Sequence, residues 1–223
     1  MATYDLEQQE QLEQVKQFWN RYGNLITTLA LIVALAFAGW TGYNYWQNQQ
    51  AIKAAGLFEE LDKAVAAGDA KKVAQSFADL SKNYAGTTFA QQGALVAAKV
   101  AADKKDTEQA RGALQWLVQN GKNPDLVAIG RLRLAGMQMD AKQLDEALKT
   151  LEAKLPEEFE PLANDRKGDI YMAQAKPDQA IAAYEKAWKA MDASVDYRRF
   201  IEGKLVALGQ PPAPAAAAAS AAQ

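Results

Sequence analysis

Between Arg21 and Lys53 the chain carries no charged residue, and nothing else in it limits the possible folds so strongly. The apolar centre of this gap, Leu25 to Tyr45, spans 21 residues. As a helix it covers roughly 31 Å, matching a bilayer hydrocarbon core of about 30 Å. Eight of these residues are Leu, Ile, Val or Phe. At about −0.3 to −0.6 kcal/mol each, they contribute roughly −2.5 to −5 kcal/mol to insertion. A few hydroxyls, Gly39, Gly42 and Asn44 oppose this only weakly. Trp19 and Tyr22 precede the run, and Trp40, Tyr43, Tyr45 and Trp46 close it, as aromatic belts do at two membrane interfaces. We expect a single transmembrane helix over residues 23–46.

Two other uses of such a run compete. A buried core helix seldom runs this far without a charge. A cleaved signal peptide fits Ala36-Phe37-Ala38, small residues after an apolar stretch. The stretch before it is acidic and over 20 residues long, unlike a short basic leader, and the apolar belt continues past the site. An uncleaved anchor fits these facts better. Charge alone gives orientation poorly, because Lys16 and Arg21 are matched by Lys53 and Lys63. Arg21 lies nearest the run and leans towards an N-terminus inside.

Residues 1–22 read as a helical tail. Leu12, Val15, Trp19 and Tyr22 recur at spacings of three and four, which gives one apolar stripe. The acids of its first half (Asp5, Glu7, Glu10 and Glu13) disfavour lying on anionic lipid. The stripe extends the anchor into solvent or docks a partner.

Past this segment the chemistry is restricted. Cys and His are absent, which removes disulfides, Cys/His zinc sites, Ser-His-Asp triads, thiol nucleophiles and imidazole bases. Gly-rich phosphate loops are missing too, and no cofactor or metal is expected. Net charge is −2, all of it in the first 21 residues. A neutral body without basic runs argues against nucleic acid. Glu157, Glu158 and Glu160 read as a solvated acidic turn, and Arg131 and Arg133 as surface ion-pairing groups. Asp165 and Asp169 are four apart on one helix, with Arg166 and Lys167 as the simplest partners. No catalytic residue is expected.

Residues 47–208 read as helical hairpins. Turn signals recur at Gly68-Asp69, Tyr84–Thr87, Asp103–Asp106, Gly121–Pro124, Asp140, Pro156, Lys176–Asp178 and Asp192. The clearest unit places Gly168, Tyr171, Ala180, Tyr184 and Ala187 at offsets where a TPR carries Gly, Tyr, Ala, an aromatic and Ala. Gly168 and Ala180 suit the closest approach of two helices, while Tyr171, Tyr184 and Ala187 suit the groove between hairpins. The small or branched position steps through 73, 110, 147 and 180, near the 34-residue TPR period. Its first-helix counterparts are Leu61, Ala98 and Ala135.

The expected fold is therefore all-α: a transmembrane helix, then a TPR-like solenoid of about four hairpins with a capping helix near 195–208. In that helix Phe200, Ile201, Leu205 and Leu208 should point inward. Residues 209–223, rich in Pro and Ala, offer too little apolar surface to pack. First helices line the inner wall of such stacks. That wall would hold Phe58, Leu95, Leu132, Met139 and Met172, interspersed with Lys99, Asp165 and Asp169, a candidate protein-binding surface.

Read together, the acidic Gln-rich start, Lys16-Gln17-Phe18-Trp19 with Gly23, and the anchor endings Gly39-Trp40 and Tyr45-Trp46 form an ordered pattern. Arg131-Leu132-Arg133-Leu134-Ala135, Ala147-Leu148-Lys149-Thr150-Leu151 and Arg166-Lys167-Gly168-Asp169 continue it. From Tyr4 to about Leu208 the chain resembles the YfgM-type family, the ancillary subunits of the bacterial SecYEG translocon. The resemblance implies a bacterial inner-membrane protein with a cytoplasmic N-terminus and a periplasmic TPR-like domain. It also implies contact with SecYEG, with a membrane-anchored periplasmic chaperone of the prolyl-isomerase type, and with secretory client polypeptides handed onward. It transfers no catalytic residue. The long Pro/Ala tail departs from the family pattern. A scaffold of another envelope assembly, for division or outer-membrane machinery, is the alternative that the repeats alone leave open.

Overall fold

A computed structural model describes residues 2–212, with side chains from Leu12 onward except Gln14 and Val15. The side chain of Val15 in the tail stripe and residues 213–223 lie outside what is described. The chain divides into two units, with the division between Ile52 and Lys53. Helix α1, Ala2–Ala66, contributes to both.

In the first unit α1 contains a window of mean hydropathy 1.9, none of it buried, long and apolar enough to cross a membrane. Its polar groups are suited to lipid. The Thr28 and Thr41 hydroxyls donate to the carbonyls of Asn24 and Phe37 at 2.7 and 2.8 Å. Each hydroxyl is satisfied by the turn before it, so little desolvation cost remains. Aromatic rings pair along the same helix, Phe18 with Tyr22 and Tyr43 with Trp46.

The second unit is a stack of antiparallel helices: α2 (Ala70–Asn83), α3 (Thr88–Asp103), α4 (Thr107–Asn120) and α5 (Pro124–Asp140). Next come α6 (Leu144–Leu151), a 3-10 turn at Glu157–Phe159, α7 (Glu160–Ala173), α8 (Pro177–Ala190) and α9 (Tyr197–Ala207). Residues 53–66 of α1 pair with α2 as the first hairpin, and α3/α4, α5/α6 and α7/α8 follow. Helix α9 stands as an unpaired cap. This is the all-α, TPR-like architecture read from the sequence.

Burial explains the period. Val73, Ala110, Ala147 and Ala180, the fourth residues of α2, α4, α6 and α8, are all essentially inaccessible. Each sits in the close-packed interior, where a larger group would find no room. Leu61, Ala98 and Ala135 are buried on the first helices. Unit four has Gly168 instead, where an added Cβ would collide with the Tyr184 ring.

The turns repeat as strictly as the cores. Gly68, Lys105, Lys142 and Ala175 all have positive φ (69, 64, 62 and 57°), and Gly209 repeats this after α9 at 75°. Each ends its helix in the same way. Gly68 donates its N–H to the carbonyl of Val65 and Asp69 to that of Ala64, and the later turns repeat both bonds. Lys105, Lys142 and Ala175 hold a left-handed conformation that glycine adopts with less strain. Lys142→Gly should therefore raise stability by about 0.5–1 kcal/mol in urea unfolding. An unchanged midpoint would contradict the strain assigned to this turn.

Capping explains where α2 and α4 begin. Asp69 accepts from the Lys72 N–H at 3.0 Å and Asp106 from the Gln109 N–H at 3.1 Å. The buried Gln91 ties the α4–α5 loop down, its carbonyl oxygen accepting from Lys122 and Asn123 N–H at 2.9 Å each.

Candidate protein-binding surface

Successive first helices touch, α3 with α5 and α5 with α7, while each second helix meets the next unit's first helix. The first helices thus form one continuous wall, and their side chains decide what it presents. At its N-terminal end the wall opens into a groove of about 460 Å³. Val65, Leu95, Val96 and Val100 supply aliphatic lining, and Lys99, Asp103, Lys104 and Arg133 supply charge.

The candidate wall residues separate here. Leu95 and Lys99 come together in the groove. Phe58 is half-buried, its ring 5.7 Å from Phe89, and packs on the first core cluster. Leu132 and Met139 are half-buried against the second cluster, as Leu95 is against the first, and they lie outside the groove. Met172 is exposed, on α7 and outside the groove.

Two charged groups differ from the sequence reading. Arg131 donates to the Thr150 carbonyl at 3.1 Å, pinning α5 to α6, and forms no ion pair among the described residues. Arg133 is exposed, and among the described residues no carboxylate lies within 4.0 Å of it. Arg133 and Lys104 were absent from the candidate wall. The repeat register could have supplied Arg133, one position beyond Leu132 on the same helix.

The repeat-defining residues gather at the other end. Ala180, Tyr184 and Ala187 are buried in the third cluster, with Tyr171 packed against it. Asp165 and Asp169 do not pair with Arg166 and Lys167. Their partner is Lys204 of α9, whose Nζ lies 2.7 Å from Asp165 Oδ1 and 2.6 Å from Asp169 Oδ1. Tyr197 donates its hydroxyl to Asp165 Oδ2 and Tyr184 to Asp169 Oδ1, both at 2.8 Å. Asp165 is only 3% exposed. It occupies the register place of Phe58, Leu95 and Leu132, so here the wall is closed by a polar clasp. Helix α9 turns Ile201 and Leu205 inward, but Phe200 is 68% exposed, contrary to expectation. A helical step of 100° from Ile201 carries it off the buried stripe.

The clasp makes stability depend on alkaline pH. Burial, followed by the bonds to Asp169 and Asp165, raises both phenols: Tyr184 well above its usual range and Tyr197 to about 12. Below the unfolded value of about 10 both tyrosines are neutral in either state, so their contribution is fully present. Between pH 10 and 12 the unfolded chain ionises first, and stability falls. Thermal melts should show this decline, and Tyr184→Phe/Tyr197→Phe should flatten it. A variant retaining the parent slope would contradict the assignment.

A family model for a tetratricopeptide repeat-like domain matches residues 16–210. An ancillary SecYEG translocon subunit of Neisseria gonorrhoeae is 31% identical, over 93% of this chain and 100% of that protein. The proteins of the same description in Aggregatibacter actinomycetemcomitans and Escherichia coli are 31% and 29% identical. They cover 83% and 85% of this chain, and 90% and 91% of their own lengths. Among solved structures, the crystal structure of MamA aligns with a TM-score of 0.48 at 18% identity, over 67% of this chain and 84% of that one.

Proposed function

The chain belongs to the family of ancillary SecYEG translocon subunits, and from that premise we propose that it is an adaptor receiving secretory polypeptides at the translocon. It is membrane-anchored and Sec-associated. In our reading the N-terminus is cytoplasmic and the repeat domain periplasmic. There the domain meets emerging chains and a membrane-anchored chaperone of the prolyl-isomerase type, to which it passes them. The observation that carries this reading is the open groove of aliphatic and charged side chains on the first-helix wall. Mixed lining of this kind suits partners of varied sequence, which a secretory adaptor must accept.

Purification from native membranes in mild detergent tests the reading. SecYEG subunits and the prolyl-isomerase-type chaperone should co-purify, and a periplasm-dependent reporter fused after Gln210 should be active. Envelope-machine components without Sec subunits would instead favour the scaffold role, and an inactive reporter would reverse the orientation.

A further inference from the structure

The charge on the groove is unevenly satisfied. Lys99 is held by Asp103 of its own helix at 3.0 Å, both well exposed. Among the described residues, Asp103 is the one acid that lines the groove. Lys104 and Arg133 face the same space, and neither has an ion-pair partner within 4.0 Å among the described residues. A further cation stands along the wall, beside the two acids that Lys204 holds. Arg166 stands on α7 at the place Arg133 holds on α5, and it too lacks an ion-pair partner among the described residues. Its guanidinium lies 3.6 Å from where a Cβ on Gly136 would stand. Gly136 occupies on α5 the place of Lys99 on α3, and its missing side chain leaves the space that Arg166 covers.

Successive first helices therefore set cations along one wall, next to a strip formed by Val65, Leu95, Val96 and Val100. We propose that this wall selects extended polypeptide segments in which acidic residues alternate with aliphatic ones. The aliphatic side chains lie on the strip, and the carboxylates pair with Lys104 and Arg133 and, further along, with Arg166. Guanidinium groups suit this role because they bind carboxylates in a planar, two-pronged geometry. The inference rests on the adaptor reading above and adds to it the charge of the preferred client.

The test uses the full chain in nanodiscs of neutral phosphatidylcholine, with empty discs as the blank. Two fluorescent nonapeptides serve as probes, one alternating Leu with Glu and the other Leu with Lys. Anisotropy should show the glutamate peptide binding at least tenfold tighter, with affinity falling as salt rises. Arg133→Glu should remove that preference. Arg199→Glu, a charge reversal at an exposed site on α9, should leave it unchanged. Thermal melts of both variants confirm that each is folded. Equal binding of the two peptides, unmoved by Arg133→Glu, would overturn the charge selection while leaving an adaptor that binds clients. Binding of neither peptide would also overturn it, and capture in intact membranes then decides the adaptor reading separately.

Discussion

Replacing Lys204 with alanine should destabilise the repeat domain by about 2–4 kcal/mol and loosen α9 from the end of the stack. Lys204 compensates two carboxylates, and Asp165 lies with its side chain only 4% exposed. Removing the cation leaves Asp165 charged in a poorly hydrated site, which costs about 3–5 kcal/mol when the pair is fully buried. Lys204 is itself 31% exposed, and water reaching Asp169 offsets part of that penalty. In a domain of this size the melting temperature should fall by roughly 5–15 °C. Lys204→Arg should recover most of the loss, because a guanidinium can still bridge the two acids. Lys204→Ala/Asp165→Asn should recover part of it by removing the unpaired charge. A Lys204→Ala protein melting within about 1 °C of the parent would show that the clasp is incidental.

The second large effect concerns the anchor. Leu31 and Leu35 lie in the middle of the apolar run, both more than 60% exposed on the helix surface. Each arginine introduced there costs about 2.5–3.5 kcal/mol on an insertion scale, and each lost leucine removes a few tenths more. Leu31→Arg/Leu35→Arg thus costs roughly 6–8 kcal/mol, more than the −2.5 to −5 kcal/mol that the aliphatic residues supply. The variant should leave the membrane pellet on carbonate extraction, while Leu35→Ile should stay. The parent in the pellet should have the intact mass of the full chain. Carbonate-resistant retention of the double-arginine chain would contradict insertion through this segment. A mass beginning after Ala38 would replace the anchor with a cleaved leader.

The parts of the fold legible in the sequence were those fixed by short-range steric demands. A close-packed interior admits only small or well-fitted side chains, so Val73, Ala110, Ala147 and Ala180 mark four second helices at near-regular intervals. The Schellman turns were only half visible. Gly68 announces one, whereas Lys105 and Lys142 adopt the same backbone without a glycine to show it. The clasp escaped for a different reason. Asp165 and Lys204 are 39 residues apart, and nothing local to either specifies the pairing. One signal was available: Asp165 stands where earlier units carry Phe58, Leu95 and Leu132, and an acid at a wall position needs a partner. The groove also reordered the candidate surface. Leu95, Leu132 and Met139 share a wall in sequence register and all are half-buried against the core, but of the three it is Leu95 that borders the groove with Lys99 and Arg133.

The central claim is that the first-helix wall, and no other face of the repeat domain, receives polypeptides at the translocon. Photo-crosslinking in living cells tests it directly, with a photoreactive residue at Leu95 in the groove or at Gln115 on the exposed side of α4. Capture of SecYEG subunits or secretory chains from position 95, with little from position 115, is the predicted result. Equal capture from both, or none from either while SecYEG still co-purifies, would contradict it.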